Sequence, residues 1–541
     1  MKRRDFLKLI TIGTLPLLMD YPAVAAMVDI IPQSSKRGAL DLEEATIADL
    51  QSAMKSGKET AVSLTKKYLR RIEEIDRRGP ALRAVIEVNP DALAIARELD
   101  HERKAKGPRG PMHGIPVLIK DNLDTHDRMM TTAGSLALLG SIAPRDSFVA
   151  QRLREAGAVI LGKTNLSEWA NYRGDHSTSG WSGRGGQTKN PYALDRNPSG
   201  SSSGSAVAVS ANLCAVAVGT ETDGSLISPA AVCGIVTVKP TVGLISRAGI
   251  IPISKTQDTA GPMARTVTDA AILLGALTGV DPRDDATEAG RGKTYQDYTQ
   301  FLDANGLNGA RIGVARRFFR SAGISAKVLE DALAALKGLG AILIDPADDL
   351  ADDPALERFG DAEGTVLSYE FKDGLNAYLA NLGPSAPVHT LQDVIEFNHR
   401  NSERELRFFG QENFLKAQEK GPLTDKAYLD ALEMCRRMSR AEGIDAVMEK
   451  NQLDAIVAPS GGPPGGTDLV YGDRDVGGSS TPAAVAGYPN ITVPAGDILG
   501  LPVGISFFGR AWSEPTLLKI AFAFEQGTKH RKPPKFLPTI G

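Results

Sequence analysis

Cysteine is scarce: Cys214, Cys233 and Cys435 are the three in a chain of 541 residues. An odd number, with two members inside apolar runs, makes no disulfide framework, so they read as small buried side chains. The N-terminal apolar stretch from Leu9 to Met19 is too short to cross a bilayer comfortably. Internal repeats and low-complexity linkers are absent. With 42% hydrophobic and 23% charged residues, the composition excludes disordered, collagen-like and multi-span membrane classes. Histidine is sparse too. His101, His113, His126 and His176 show no H-x-x-x-H or carboxylate spacing, so no metal site and no cofactor is expected.

Positive charge opens the chain. Arg3 and Arg4 precede Phe6, Leu7 and Lys8, an apolar stretch follows, and Ala23-Val24-Ala25 closes it. The pattern resembles a twin-arginine export signal cut after Ala25, which makes residues 1–25 a leader and predicts a periplasmic protein with no stable membrane anchor once the leader is gone. Residues 1–25 hold four basic and two acidic groups, so their removal moves the formal charge from −3 to −5. A mildly acidic chain without a basic run is a poor partner for nucleic acid. The sequence sets no oligomeric state.

The stretch from Asn197 to Thr241, NPSGSSSGSAVAVSANLCAVAVGTETDGSLISPAAVCGIVTVKPT, alternates Gly/Ser-rich loops with short apolar runs. Glycines supply positive φ and close backbone approach, and the serines supply weak nucleophiles and hydrogen-bonding hydroxyls. Ser205 to Ala211 reads as a helix whose N-terminus faces the Ser/Gly cluster. Cys214 to Val218 reads as a buried strand that delivers Thr220 to Ser225 to its C-terminal edge, where open α/β sheets keep their sites. A hydroxyl nucleophile needs a base. Lys120 ends the apolar run Val117-Leu118-Ile119, and a lysine buried there has a lowered pKa and a neutral amine.

These residues resemble the amidase signature family. Its Gly/Ser-rich PGGSSGGS segment, its GTDTGGS segment and its upstream lysine map onto Pro198 to Ser205, Gly219 to Ser225 and Lys120. The resemblance implies a single large α/β domain with a central twisted mixed sheet covered by helices on both faces. It also implies a Ser-cisSer-Lys triad: Ser225 the acyl nucleophile, Ser201 the bridge and Lys120 the base. Main-chain N–H groups of Thr222, Asp223, Gly224 and Ser225 would form the oxyanion hole, and the Gly200–Ser201 peptide would be cis. Ser199, Ser203 and Asp223 stand where the family often has glycine. The implied activity is hydrolysis of a carboxamide in a small molecule or peptide, with the TETDGS loop and the segment around Tyr369 nearest to peptide amidases acting on C-terminal carboxamides. An amidotransferase subunit that serves tRNA, and a non-catalytic binding protein on the same fold, are the alternatives.

Two motifs compete by letters. Gly200-Ser201-Ser202-Ser203-Gly204 satisfies G-x-S-x-G with Ser202 central, but Asn197-Pro198 is a poor strand end for such an elbow. Ser63-x-x-Lys66 matches a β-lactamase motif inside a charged helix with no partner motifs. Along the chain, Thr46 and Thr60 open two helices, Ala84–Val88, Ala158–Leu161, Ile235–Val238, Arg311–Val314, Ala341–Ile344, Leu453–Pro459, Asn490–Pro494 and Val503–Gly509 read as strands, and Glu514–Gln526 closes as a helix. The expected catalytic domain is 26–541, with a signature core over 110–270 and a helical insertion over 345–440. The long segment Lys163 to Arg196, with Trp169, Tyr172, His176 and Trp181, is a lid or a packed cover.

Overall fold

The computed structural model describes residues 41–320, 322–347, 353–474 and 477–540; the expected leader, 1–25, lies outside them. Residues Leu40–Gly541 form one compact unit. At its centre is one eleven-stranded sheet in the order β1-β3-β2-β6-β8-β7-β12-β13-β11-β9-β10. The strands that concern the site are β1 (Val85–Val88), β2 (Pro116–Lys120), β3 (Val159–Thr164), β6 (Val216–Glu221), β7 (Val236–Lys239) and β8 (Thr259–Ala264). Those of the far half are β9 (Arg311–Val314), β10 (Ile342–Ile344), β11 (Ala455–Gly461), β12 (Asn490–Ile498) and β13 (Leu501–Phe508). A separate two-residue hairpin joins β4 (Trp181–Ser182) to β5 (Gly186–Gln187).

The sheet is mixed. Strand β2 runs parallel to both β3 and β6, whereas β8 is antiparallel to β6 and β7. Every residue of β2, β3 and β6 is buried, so helices cover the sheet on both faces. Among them, Ser203–Ser210 packs on β6, Val267–Leu277 on β8 and Glu514–Thr528 on β12. Thr46 closes a capping box with Asp49, and Thr60 closes one with Ser63. Ser63 of the S-x-x-K motif is therefore the helical member of a capping box, and its hydroxyl also donates to Glu59 at 2.6 Å.

Strand β8 is the element that sequence periodicity misses. Its run TAGPMA holds Gly261 and Pro262, which ordinarily argue against a central strand. The structure explains both. A Cβ on Gly261 would lie 2.3 Å from the Val238 carbonyl, and the Pro262 carbonyl is taken by the Thr237 hydroxyl at 2.7 Å. Strand β6 begins two residues later than Cys214 and continues through Glu221, so Thr220 belongs to the sheet.

The segment 163–196 is a packed cover. Trp169 and Trp181 are buried, Tyr172 packs against Phe371 at a tilt with ring centroids 4.7 Å apart, and the Arg173 guanidinium sits 4.1 Å from the Phe409 ring. Phe371 comes from the long helix Asp353–Asn381, which with the helices Leu391–Arg400, Glu412–Gln418 and Lys426–Arg436 spans most of the expected insertion. These helices and the cover share a second apolar cluster built on Trp169, Phe371, Leu375 and Phe414. All three cysteines are buried and free, and among the described residues no helix is long and apolar enough to cross a membrane.

Candidate active site

Strand β2 ends on Lys120, and its parallel neighbour β6 brings Thr220 alongside; both belong to the buried centre of the sheet. The Lys120 ammonium group is fully enclosed and meets four oxygens: Ser201 Oγ at 2.7 Å, Thr220 Oγ1 at 2.9 Å, Ser202 Oγ at 3.1 Å and the Thr220 carbonyl at 3.3 Å. None of them is a carboxylate. Burial therefore dominates, pushing the Lys120 pKa from 10.5 down to about 7, against the weaker opposing pull of Asp258 and Glu221. Near neutral pH a large fraction of the amine is unprotonated, with a lone pair able to accept a proton.

The partners sort by what their own protons do. Ser202 Oγ donates to the Thr220 carbonyl at 2.9 Å and accepts from the Thr220 N–H at 3.2 Å. Thr220 Oγ1 accepts from Asn122 Nδ2 at 3.0 Å. Ser201 Oγ has Lys120 as its partner, which leaves its proton available to that amine. The Gly200–Ser201 peptide is cis, and the Ser201 carbonyl is held by the Ser167 N–H at 3.1 Å.

Glycine and its substitutes shape this loop. Ser199 takes a φ of +56°, in the left-handed region that favours glycine. Its N–H is held by Asn197 Oδ1 at 2.6 Å and its hydroxyl meets Ser228 Oγ at 2.7 Å, so a serine is tethered there. Gly204 is irreplaceable for space: a Cβ would come within 2.3 Å of the Ala84 carbonyl and 2.4 Å of the Asn165 carbonyl. The helix Ser203–Ser210 can thus press against the strand ends.

The second loop, Thr222 to Ser225, is tied to the first by the Ser202 N–H donating to the Ser225 carbonyl at 3.1 Å. Ser225 is 8% exposed, whereas Lys120 and Ser201 are wholly buried, so Ser225 is the one of the three that a substrate can meet. Its hydroxyl makes no hydrogen bond with the described residues. The hydroxyl chain is closed from Lys120 to Ser201 and open from Ser201 to Ser225, as catalytic contacts often are before substrate arrives. The main-chain N–H groups of Thr222, Asp223, Gly224 and Ser225 have no acceptor among the described residues, whereas those of Leu226 and Ile227 are taken by the Glu221 carboxylate at 2.7 and 3.0 Å. Four adjacent unpaired N–H groups form a concavity suited to an oxyanion.

The side chains that brace this loop, Asp258, Gln257, Ser480 and Thr481, carry no sequence signal. Asp258, at the edge of β8, accepts from Thr222 Oγ1 at 2.5 Å and from the Ile253 and Ser254 N–H groups at 2.8 and 2.9 Å. Burial raises its pKa to about 6 despite those donors. Asp223 is fixed by Ser480 Oγ at 2.5 Å and Thr481 Oγ1 at 2.6 Å, from the first turn of the helix Ser480–Ala486. Gln257 Nε2 reaches the Thr222 carbonyl at 3.4 Å and Glu363 Oε1 at 2.9 Å. Among the described residues no cluster of His, Cys, Asp and Glu is placed to hold a metal ion. His113 is buried against the Leu99 carbonyl at 2.9 Å, and the exposed His126 lies 2.9 Å from that of Ala143.

The sequence model of the family described as Amidase matches residues 63–518. The chain belongs to the amidase family. It is 45% identical over 526 residues to a probable amidase of Arabidopsis thaliana, covering 96% of this chain and 97% of that protein. The native peptide amidase of Stenotrophomonas maltophilia superposes with a TM-score of 0.86 at 51% identity, covering 91% of this chain and 99% of that one. A glutamyl-tRNA(Gln) amidotransferase subunit from Carboxydothermus hydrogenoformans is more distant, 33% identical over 92% of this chain and all of its own length. Membership in the amidase family makes the chain an amide-hydrolysing enzyme.

Proposed function

We propose that this amidase hydrolyses C-terminal carboxamides of peptides to the acid and ammonia through an acyl-enzyme on Ser225. The observation that carries the catalytic part is the 2.7 Å contact between the enclosed Lys120 amine and Ser201 Oγ. Neutral Lys120 takes the Ser201 proton as Ser201 takes that of Ser225, and the freed Ser225 oxygen attacks the amide carbon. The negative charge passes to the carbonyl oxygen, where the N–H groups of Thr222 to Ser225 receive it, each donor typically worth about 3 kcal/mol. The proton then travels back through Ser201 to the amide nitrogen, the C–N bond breaks and ammonia leaves. Water repeats the sequence in place of Ser225, releasing the acid.

Likeness to a peptide amidase at 51% identity over nearly the whole of both chains supports the substrate class. Two aspects of the reading concern place rather than chemistry. The Arg3-Arg4 leader supports export by the twin-arginine route to the periplasm, which an Arg3→Lys/Arg4→Lys chain retained in the cytosolic fraction would bear out. The mature chain works on small molecules or peptides, without nucleic acid and without a membrane anchor.

Ammonia release from a panel of carboxamides tests the function. Amidated peptides should lead amino acid, aryl and long-chain aliphatic amides in kcat/KM, and Ser225→Ala should release none. Preference for an aryl or aliphatic amide would overturn the substrate class and leave the chemistry standing.

A further inference from the structure

A cavity of about 380 Å³ lies beside the oxyanion loop and takes no part in the relay. It falls within the range of ligand sites, on the order of 300–1,000 Å³. Its lining holds three cations, Lys255, Arg436 and Arg440, and no carboxylate. Trp512, Tyr488 and Val485 supply aromatic and aliphatic wall.

Two of the three cations have no ion-pair partner among the described residues. Lys255 and Arg436 are exposed and form no ion pair or side-chain hydrogen bond with the described residues. Arg440 is half-buried; its Nε donates to the Ala486 carbonyl at 2.9 Å and its guanidinium lies 5.6 Å from the Tyr488 ring centroid. The nearby carboxylates are engaged elsewhere. Glu370 accepts from Ser254, Thr256 and Tyr428, Glu363 from Gln257, and Asp445 from Tyr488. Two guanidinium groups and an ammonium group therefore share one cleft that no carboxylate lines, with Asp445 drawing on Arg440 from outside it. A guanidinium fork matches a carboxylate in two parallel hydrogen bonds, and the aromatic walls favour an apolar body behind it.

The cavity is close to the chemistry without containing it. The helix Ser480–Ala486 holds Asp223 with its first residues and lines the cavity with Val485 and Ala486, about 8 Å further along at 1.5 Å per residue. Gln257 lines the cavity and donates to the Thr222 carbonyl of the oxyanion loop. We propose that this cavity is a binding site for a small organic carboxylate with an apolar body, distinct from Ser225 and in contact with the oxyanion loop through Gln257. This inference does not depend on the identity of the amide substrate.

Phenylacetate is the probe and 2-phenylethanol its uncharged counterpart. Calorimetry on the full chain should give one phenylacetate site, and fluorescence should report it through Trp512, the one tryptophan lining the cavity. Lys255→Gln/Arg436→Gln removes two exposed charges that hold nothing else; its Kd should weaken at least tenfold with the melting temperature unchanged. Trp512→Phe should keep the heat and lose the fluorescence change. Absence of binding at millimolar phenylacetate, equal affinity in the double variant, or equal binding of 2-phenylethanol would each overturn the proposal.

Discussion

Ser202 Oγ lies 3.1 Å from the Lys120 amine, yet its proton points to the Thr220 carbonyl, 2.9 Å away, and it also receives the Thr220 N–H. A hydroxyl committed in this way is a strut between the base and β6, and its burial closes it to substrate. Ser202→Ala should therefore keep acylation at Ser225 while costing about 1–3 kcal/mol of stability for the orphaned partners. Denaturant melts and labelling by a serine-reactive probe measure the two effects. Loss of labelling with an unchanged melt would return Ser202 to candidacy as the nucleophile of its G-x-S-x-G motif.

Lys120 sets the pH profile. With its pKa lowered to about 7, the base form grows as pH rises, so kcat/KM should climb through pH 7 and level off above pH 8. Lys120→Met should lose about a thousandfold in activity and the acid limb with it. A limb that persists in the variant would assign the titration to another group.

The same lysine shapes stability with the opposite sign to a salt-bridged one. Its folded pKa lies below its unfolded value of 10.5, so between about pH 7 and 10.5 the unfolded chain holds more protons and stability from this group rises with pH. Below pH 7 the cost of enclosing the cation is constant. The difference in melting temperature between wild type and Lys120→Met should change steadily from pH 7 to pH 10, in favour of wild type, and be flat from pH 5 to 6.5.

Arg173 anchors the cover beside the site. It is enclosed between Glu168 and Glu405 and over the Phe409 ring, and Glu405 also takes the Leu136 N–H at 2.7 Å. Burial, with Glu405 as a like-charged neighbour, raises the Glu168 pKa even against the pull of Arg173. Arg173→Met should cost about 3–5 kcal/mol, because it leaves two enclosed carboxylates facing each other. Chemical denaturation at pH 7 measures this, and part of the loss should return at pH 5 as Glu168 takes up a proton.

Legibility followed the range of the contacts. Local pattern marks the strand that ends in Lys120 and the Gly/Ser loops that carry Ser201 and Ser225, and the resemblance to the amidase signature family singles out these three residues within them. Thr220 was visible within the same motif, but its grip on Lys120 required β6 to extend past Val218. Asp258 and Gln257 had no signal, since their partners Thr222 and Glu363 are 36 and 106 positions away. Strand β8 hid behind Gly261 and Pro262, whose reasons are a neighbouring carbonyl and a threonine hydroxyl. The choice between lid and cover for 163–196 rested on Phe371, Phe409 and Phe414, which belong to the distant helical segment.

The most direct test of the account is to trap the acyl-enzyme. Wild-type enzyme is mixed with an amidated peptide, quenched in acid within the first turnover and digested, and the acylated residue is identified by mass spectrometry. The peptide acyl group should appear on Ser225, with no adduct in Ser225→Ala and ammonia release reduced more than about ten-thousandfold in that variant. An adduct on Ser201 or Ser202, or ammonia release that survives in Ser225→Ala, would contradict it.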